Sequence, residues 1–243
     1  MIRSVILDRD GIDPDRYPFS IPAIRSLTTL ELHPQVTLFA GENGSGKSTL
    51  IEAIAVAAGF NAEGGTRNMT VSTRASHSDL HDHLRLVRDG TPVRDGFFLR
   101  AESFFNVATH IEDLDRGPGS GRRIIESYGG VSLHEQSHGE SFLSLVLNRF
   151  GGRGLYILDE PEAALSLRGQ LALIRRMHEL AIDSQFVVST HSPILLGYPE
   201  ARIYVLDENG IEERAYEDTD QYELTRSFLA DRERFLHYLF ADD

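Results

Sequence analysis

The chain has 243 residues, a formal net charge of −13, 41% hydrophobic and 25% charged residues, and no cysteine. That apolar content supports a full core and is too high for a disordered chain. Disulfides, thiolate zinc sites and cysteine nucleophiles are excluded, and the acidic balance disfavours autonomous clamping of nucleic acid, which needs a basic face.

Taken in chain order, short strands are expected at residues 5–7 and 27–32, with turn chemistry at Asp13-Pro14 and Pro22 between them. The start of the chain has no long apolar run of the kind a secretory leader carries, so a reducing cytoplasmic setting is expected. Val36-Thr37-Leu38-Phe39-Ala40 is a compact apolar run ending at Gly41 and reads as a buried strand feeding a loop. A helix is expected over 48–58, with Leu50, Ile51, Ile54 and Ala55 on one stripe and Gly59 as its stop. Residues 60–95 are polar and carry no clear element, and Phe97-Phe98-Leu99 reads as a second buried strand. A small helical lobe is expected over 103–150, including a helix at 139–150. It contains a Gly/Pro/Arg loop at 115–123, where Arg122 and Arg123 form a candidate basic patch.

Leu155-Tyr156-Ile157-Leu158 and Phe186-Val187-Val188 are further buried strands. Between them, residues 166–180 are amphipathic, with Leu167, Leu171, Ile174 and His178 spaced for one face. Residues 203–206 and 211–213 suggest a hairpin around Asn209-Gly210. The tail over 216–243 reads as helical, with Leu224, Phe228, Leu229, Phe235, Leu236 and Leu239 expected to pack on the core. The apolar stretch 186–198 is broken by His191 and Pro193 and is too short to span a bilayer, so no direct membrane insertion is expected. Strands that alternate with helices imply one α/β domain over 1–243, with a mostly parallel central sheet and an antiparallel flank.

Gly41-Glu42-Asn43-Gly44-Ser45-Gly46-Lys47-Ser48 fits G-x-x-x-x-G-K-[ST]. Glycines let such a backbone curl so that successive N–H groups face phosphate oxygens, and the following helix aims its positive end at the same anion. Lys47 would reach the β- and γ-phosphates and the Ser48 hydroxyl would bind Mg²⁺. Asp159 and Glu160 emerge after a buried strand, where open α/β sheets place ligands. Asp159 suits the Mg²⁺ shell, and Glu160 suits the polarisation of an attacking water. His191 follows the strand at 186–188 and could donate to the transferring phosphoryl group. Ser137-His138-Gly139-Glu140-Ser141 opens a helix. A capping box accounts for Ser137 and Glu140, and the same helix start could also face an anion.

The order of these motifs resembles that of ATP-binding cassette (ABC) ATPases, in particular the soluble SMC- and RecF-like branch with its small stand-alone bacterial members. The resemblance rests on residues 41–48, 137–141, 155–160 and His191, together with Arg100-Ala101-Glu102-Ser103-Phe104-Phe105 and Asp159-Glu160-Pro161-Glu162-Ala163-Ala164-Leu165-Ser166. It implies a P-loop NTPase with the ABC-ATPase head architecture. ATP and Mg²⁺ would be held by Glu42, Asn43, Gly44, Ser45, Gly46, Lys47, Ser48 and Thr49, with Asp159 on the metal, Glu160 as catalytic carboxylate and His191 as γ-phosphate sensor. Ser137 and Gly139 would complete the site of a second copy in an ATP-dependent homodimer, with residues 163–166 along the seam. Two departures stand out. His138 replaces a glycine of the usual L-S-G-G-Q, and Glu102 occupies the position where the family carries a metal-ordering Gln. Tyr17 and Phe19 are open both as adenine-stacking residues and as core or surface aromatics. The resemblance implies a conformational switch acting on an unidentified protein partner, in DNA maintenance or defence. The energising subunit of an ABC transporter and a binding module without turnover are the alternatives. Nucleic acid as a partner is left open but gains no support from the net charge.

Overall fold

The computed structural model describes residues 1–67, 78–116 and 124–241. In chain order the elements are β1 (Ile2–Leu7), α1 (Pro22–Ser26), β2 (Thr29–Glu31), β3 (Val36–Gly41), α2 (Lys47–Ala57), β4 (Leu84–Arg88), β5 (Asp95–Arg100), α3 (Phe104–Arg116), α4 (His138–Arg149) and β6 (Gly154–Asp159). They continue with α5 (Leu167–Leu180), β7 (Gln185–Ser189), α6 (Pro193–Leu196), β8 (Arg202–Asp207), β9 (Gly210–Glu213), α7 (Asp220–Ala230) and α8 (Arg232–Phe240).

The central sheet has the order β5-β6-β7-β3-β8-β9 and is parallel except for the hairpin partner β9. A second sheet, β2-β1-β4, is antiparallel throughout. The central strands β3, β6 and β7 are buried along their whole length, as a parallel sheet covered on both faces requires. Side chains alternate between the two faces. Leu38, Leu99, Tyr156, Leu158 and Val188 join the core under the helical lobe and α5. Phe39, Phe98, Ile157 and Val187 join the core formed with α2 and the antiparallel flank. The Gln185 amide ties the two sheets together. Its Oε1 accepts from the Ile2 N–H at 2.8 Å, and its Nε2 donates to the carbonyls of Ile2 at 2.7 Å and His33 at 3.0 Å.

In the lobe, α3 buries Phe104, Val107, Ala108 and Ile111, one helical stripe. Asp95 anchors the far end of α4 to the sheet: its carboxylate accepts from Arg149 Nη1 at 2.8 Å, from the Tyr156 hydroxyl at 2.8 Å and from the Gly151 N–H at 3.2 Å.

Several expectations are corrected. Residues 27–32 shorten to the three-residue β2, because Pro22 starts the short helix α1 instead of marking a turn. Residues 60–95 contain β4, whose Leu-Arg-Leu-Val-Arg pattern alternates only weakly because it edges the small sheet. On α5 the buried stripe is Gln170, Leu173, Met177 and Leu180, whereas Leu167 and Leu171 are 65% and 57% exposed, Ile174 is half-buried and His178 is exposed. The tail forms two helices, but neither has a buried residue: Leu224, Leu229 and Leu239 are exposed, and Phe228 meets Phe235 edge-on, within the hairpin of the two helices. The candidate basic patch at Arg122 and Arg123 lies outside the described residues.

Candidate nucleotide site

The first half of the site is the turn between β3 and α2. Gly41 has φ 140°, and a Cβ there would lie 2.2 Å from the Leu206 carbonyl oxygen. Gly46, at the start of α2, has φ 99°, and a Cβ would meet Ile21 Cγ2 at 2.9 Å. Only glycine satisfies both the dihedral and the space. The loop therefore presents backbone, backed by the N-terminus of an 11-residue helix, which is the arrangement that binds phosphate. Lys47 is buried, and its Nζ donates to the Glu42 carbonyl at 2.9 Å. Burial lowers its pKa, while the carboxylates of Glu160, Asp159 and Glu162 act in the opposite sense.

The second half comes from the ends of β6 and β7. Asp159 is buried, and its Oδ1 accepts from Ser48 Oγ at 3.0 Å and Ser189 Oγ at 2.5 Å. Burial pushes this carboxyl up, against the pull of the Ser189 hydroxyl, the Arg100 guanidinium and the Ser48 hydroxyl. Next to it, Glu160 adopts φ 49°, a left-handed conformation that ends the strand abruptly, and its N–H donates to the Ser189 carbonyl at 3.1 Å. Glu160 Oε1 lies 3.2 Å from His191 Nε2. The His191 N–H donates to Glu162 Oε1 at 2.5 Å, and burial pushes the Glu162 carboxyl up. The strand order explains this convergence. Because β7 lies between β3 and β6, the loop after it delivers His191 between the lysine half and the carboxylate half.

A cleft of 250 Å³ is lined by Gly44, Gly46, Lys47, Ser48, Thr49 and Glu160, with Tyr17 at its edge. Tyr17 is exposed, with its hydroxyl 3.3 Å from Thr49 Oγ1. Phe19 is buried edge-on to His83, which makes it a core residue and leaves Tyr17 as the aromatic beside the loop. A neighbouring cleft of 190 Å³ is lined by Ser48, Glu102, His138, Asp159 and Glu160. Glu102 is 86% exposed there, 3.9 Å from Arg100 Nη2. Hydroxyl and carboxylate oxygens at Ser48 and Asp159, beside a backbone cradle for phosphate, form the donor set that a hard cation such as Mg²⁺ takes when water and phosphate complete its shell.

Ser137 and Gly139 line neither cleft. Ser137 caps α4 in a capping box: its Oγ accepts from the Glu140 N–H at 3.4 Å, and its own N–H donates to Glu140 Oε2 at 3.1 Å. The Ser137 hydroxyl and N–H hold the exposed Glu140 carboxyl below the usual range. Both Ser137 and Gly139 face a separate 500 Å³ groove with Leu143, Ala164, Ser166 and Arg168.

Three residues of the site were not singled out from sequence. Ser189 and Glu162 lie beside motifs that were, within Ser189-Thr190-His191 and Asp159-Glu160-Pro161-Glu162. Arg100 reaches Asp159 only through the register of β5 on β6.

The fold is that of P-loop NTPases, with the head architecture of ABC ATPases. The family model described as an AAA domain matches residues 20–123. The cytochrome c biogenesis ATP-binding export protein CcmA of Rhodopseudomonas palustris (strain BisB5) is 29% identical over 178 residues, covering 67% of this chain and 81% of that protein. Among solved structures, a metal-chelate type ABC transporter in an inward-facing conformation aligns with a TM-score of 0.50 at 15% identity, covering 94% of this chain and 90% of that one. The SMC head domain from Thermotoga maritima aligns with a TM-score of 0.45 at 13% identity, covering 88% and 98%. No helix among the described residues is long and apolar enough to cross a membrane.

Proposed function

We propose that this chain binds ATP with Mg²⁺ and hydrolyses the ATP to ADP and phosphate. The observation that carries the reading is the meeting of Ser48 with Asp159 at 3.0 Å and of Glu160 with His191 at 3.2 Å, beside the buried Lys47. In this reading Glu42, Asn43, Gly44, Ser45, Gly46 and Thr49 cradle the phosphates together with Lys47 and Ser48. Lys47 places its charge on the β- and γ-oxygens. Ser48 and Asp159 hold Mg²⁺, with exposed Glu102 reaching it through water. Bound Mg²⁺ supplies neutralisation of the charge that develops on the β- and γ-oxygens. Glu160 orients the attacking water and takes its proton, and His191 donates to the transferring group.

Ser137 and Gly139 line neither cleft and face a groove of their own, which supports the reading that they would complete the phosphate site of a second copy of the chain. The protein would then act as an ATP-closed homodimer in the cytoplasm, passing its open and closed states to a protein partner in DNA maintenance or defence. The likeness to an ATP-binding export protein favours a second reading, the energising subunit of a transporter. Retention in a membrane fraction together with an integral partner would select it.

Phosphate release is the test. The parent protein should release phosphate with Mg²⁺ and ATP, Lys47→Ala should not, and Glu160→Gln should be slower by about 10²–10⁴-fold. Glu160→Gln should also raise the dimer mass in light scattering when ATP is present. Parent turnover no higher than that of Lys47→Ala would refute hydrolysis. A monomeric mass at micromolar protein and millimolar ATP would refute the dimer.

A further inference from the structure

Strands β5 and β6 pair in parallel with Arg100 opposite Asp159, so both residues sit at the same end of adjacent strands. Arg100 is 18% exposed. Its Nη1 donates to Glu52 Oε2 at 2.5 Å, and its Nε lies 3.5 Å from Asp159 Oδ2, with no hydrogen-bond partner of its own. Glu52 is 15% exposed and lies on α2, four residues after Ser48 and hence on the same helix face. One guanidinium therefore joins the helix that carries Lys47 and Ser48 to the strand that carries Asp159. A planar fork that keeps its charge is the side chain suited to bridging carboxylates on two elements. Glu52 also balances the charge of Arg100, which limits its repulsion of a divalent cation.

We propose that Arg100, paired with Glu52, is a positioning residue for the metal: it holds Asp159 Oδ2 so that Oδ1 stays turned towards Ser48, and thereby sets the affinity for the divalent ion. The inference rests on the Mg²⁺–ATP reading of the site. Partners of this kind, which orient a metal-binding side chain, commonly change metal affinity by about 10–100-fold when removed. A lysine keeps the charge but cannot span both carboxylates. Glutamine at both positions removes the two charges together and leaves neither stranded in the interior.

The experiment measures Mn²⁺ binding by electron paramagnetic resonance with a non-hydrolysable ATP analogue, alongside analogue affinity in EDTA and the melting temperature. Arg100→Lys and the Arg100→Gln/Glu52→Gln double variant should bind Mn²⁺ about 10–100-fold more weakly. Their metal-free analogue affinity should stay within about twofold of the parent, since neither Arg100 nor Glu52 lines the phosphate cleft. Parent-like Mn²⁺ affinity in either folded variant overturns the proposal, whatever the change in melting temperature, because a merely structural pair would move only the latter. Absence of Mn²⁺-dependent analogue binding by the parent protein would instead overturn the site reading, and this inference with it.

Discussion

Asp95 shows how much one carboxylate carries away from the nucleotide site. Burial alone would raise its pKa, but the Tyr156 hydroxyl, the Arg149 guanidinium and the Gly151 N–H together hold it below its ordinary value of 3.8. A depressed folded-state value means that the stabilisation is complete above the unfolded value and is lost as pH falls through the folded one. Asp95→Asn would leave Arg149, only 25% exposed, without its counter-charge. It should cost about 2–3 kcal/mol in urea unfolding at pH 7. The gap to the parent should narrow as pH drops below about 4. An equal gap at pH 7 and pH 3.5 would show that the loss is one of packing and not of charge. At the same scale, the loop glycines, Lys47, Asp159 and Glu160 were legible in the sequence because each belongs to a short local pattern. Arg100 was not, because its partner Asp159 is 59 positions away and only strand register joins them. Glu162 was quoted as part of a stretch, yet its bond to the His191 N–H depends on where the loop after β7 returns.

Among the elements, the buried strands were the easiest to foresee. Short, dense apolar runs leave little alternative to an interior strand: four residues between Gly154 and Asp159 in β6, three in β7, and a run in β3 broken only by Thr37, all of them buried throughout. Helix faces were harder. On α5 two stripes compete, one through Leu167 and Leu171 and one through Leu173, Met177 and Leu180, and the second won because it meets the sheet core. Helical spacing identifies a face only when the other positions are polar. The tail differs from its expectation in the same way: its leucines and phenylalanines are spaced for a core, but none is buried, and Phe228 and Phe235 pack on each other instead. A chain ended after Thr219 should therefore melt within about 3 °C of the full chain, since α7 and α8 contribute no buried residue. A drop of more than about 10 °C in differential scanning calorimetry would show that the tail is part of the core after all.

At the scale of the whole molecule, one sheet separates two cores and the phosphate loop emerges at the C-terminal end of its interior strand β3. The α/β class and the antiparallel flank followed from the alternation of strands and helices. The pairing of the flank with β4 did not, because residues 60–95 hide a half-exposed edge strand within a polar stretch of sequence.

The Gln185 amide has a consequence for how this assembly comes apart. One side chain on β7 satisfies an N–H and two carbonyls at the margin of the flank, so prying β1 away breaks both bonds to Ile2 and leaves the buried amide oxygen and one amide N–H of Gln185 without partners, each worth about 1–3 kcal/mol, while the bond to the His33 carbonyl remains. The small sheet should not fray by itself. Hydrogen exchange at the Ile2 amide should report the same opening free energy as the amides of β7, and Gln185→Leu should speed exchange at Ile2 while leaving Val187 slow. Equal exchange in parent and variant would mean that the flank already breathes alone. The expected outcome is that both layers open as a single cooperative unit, which would keep the scaffold behind the phosphate loop rigid.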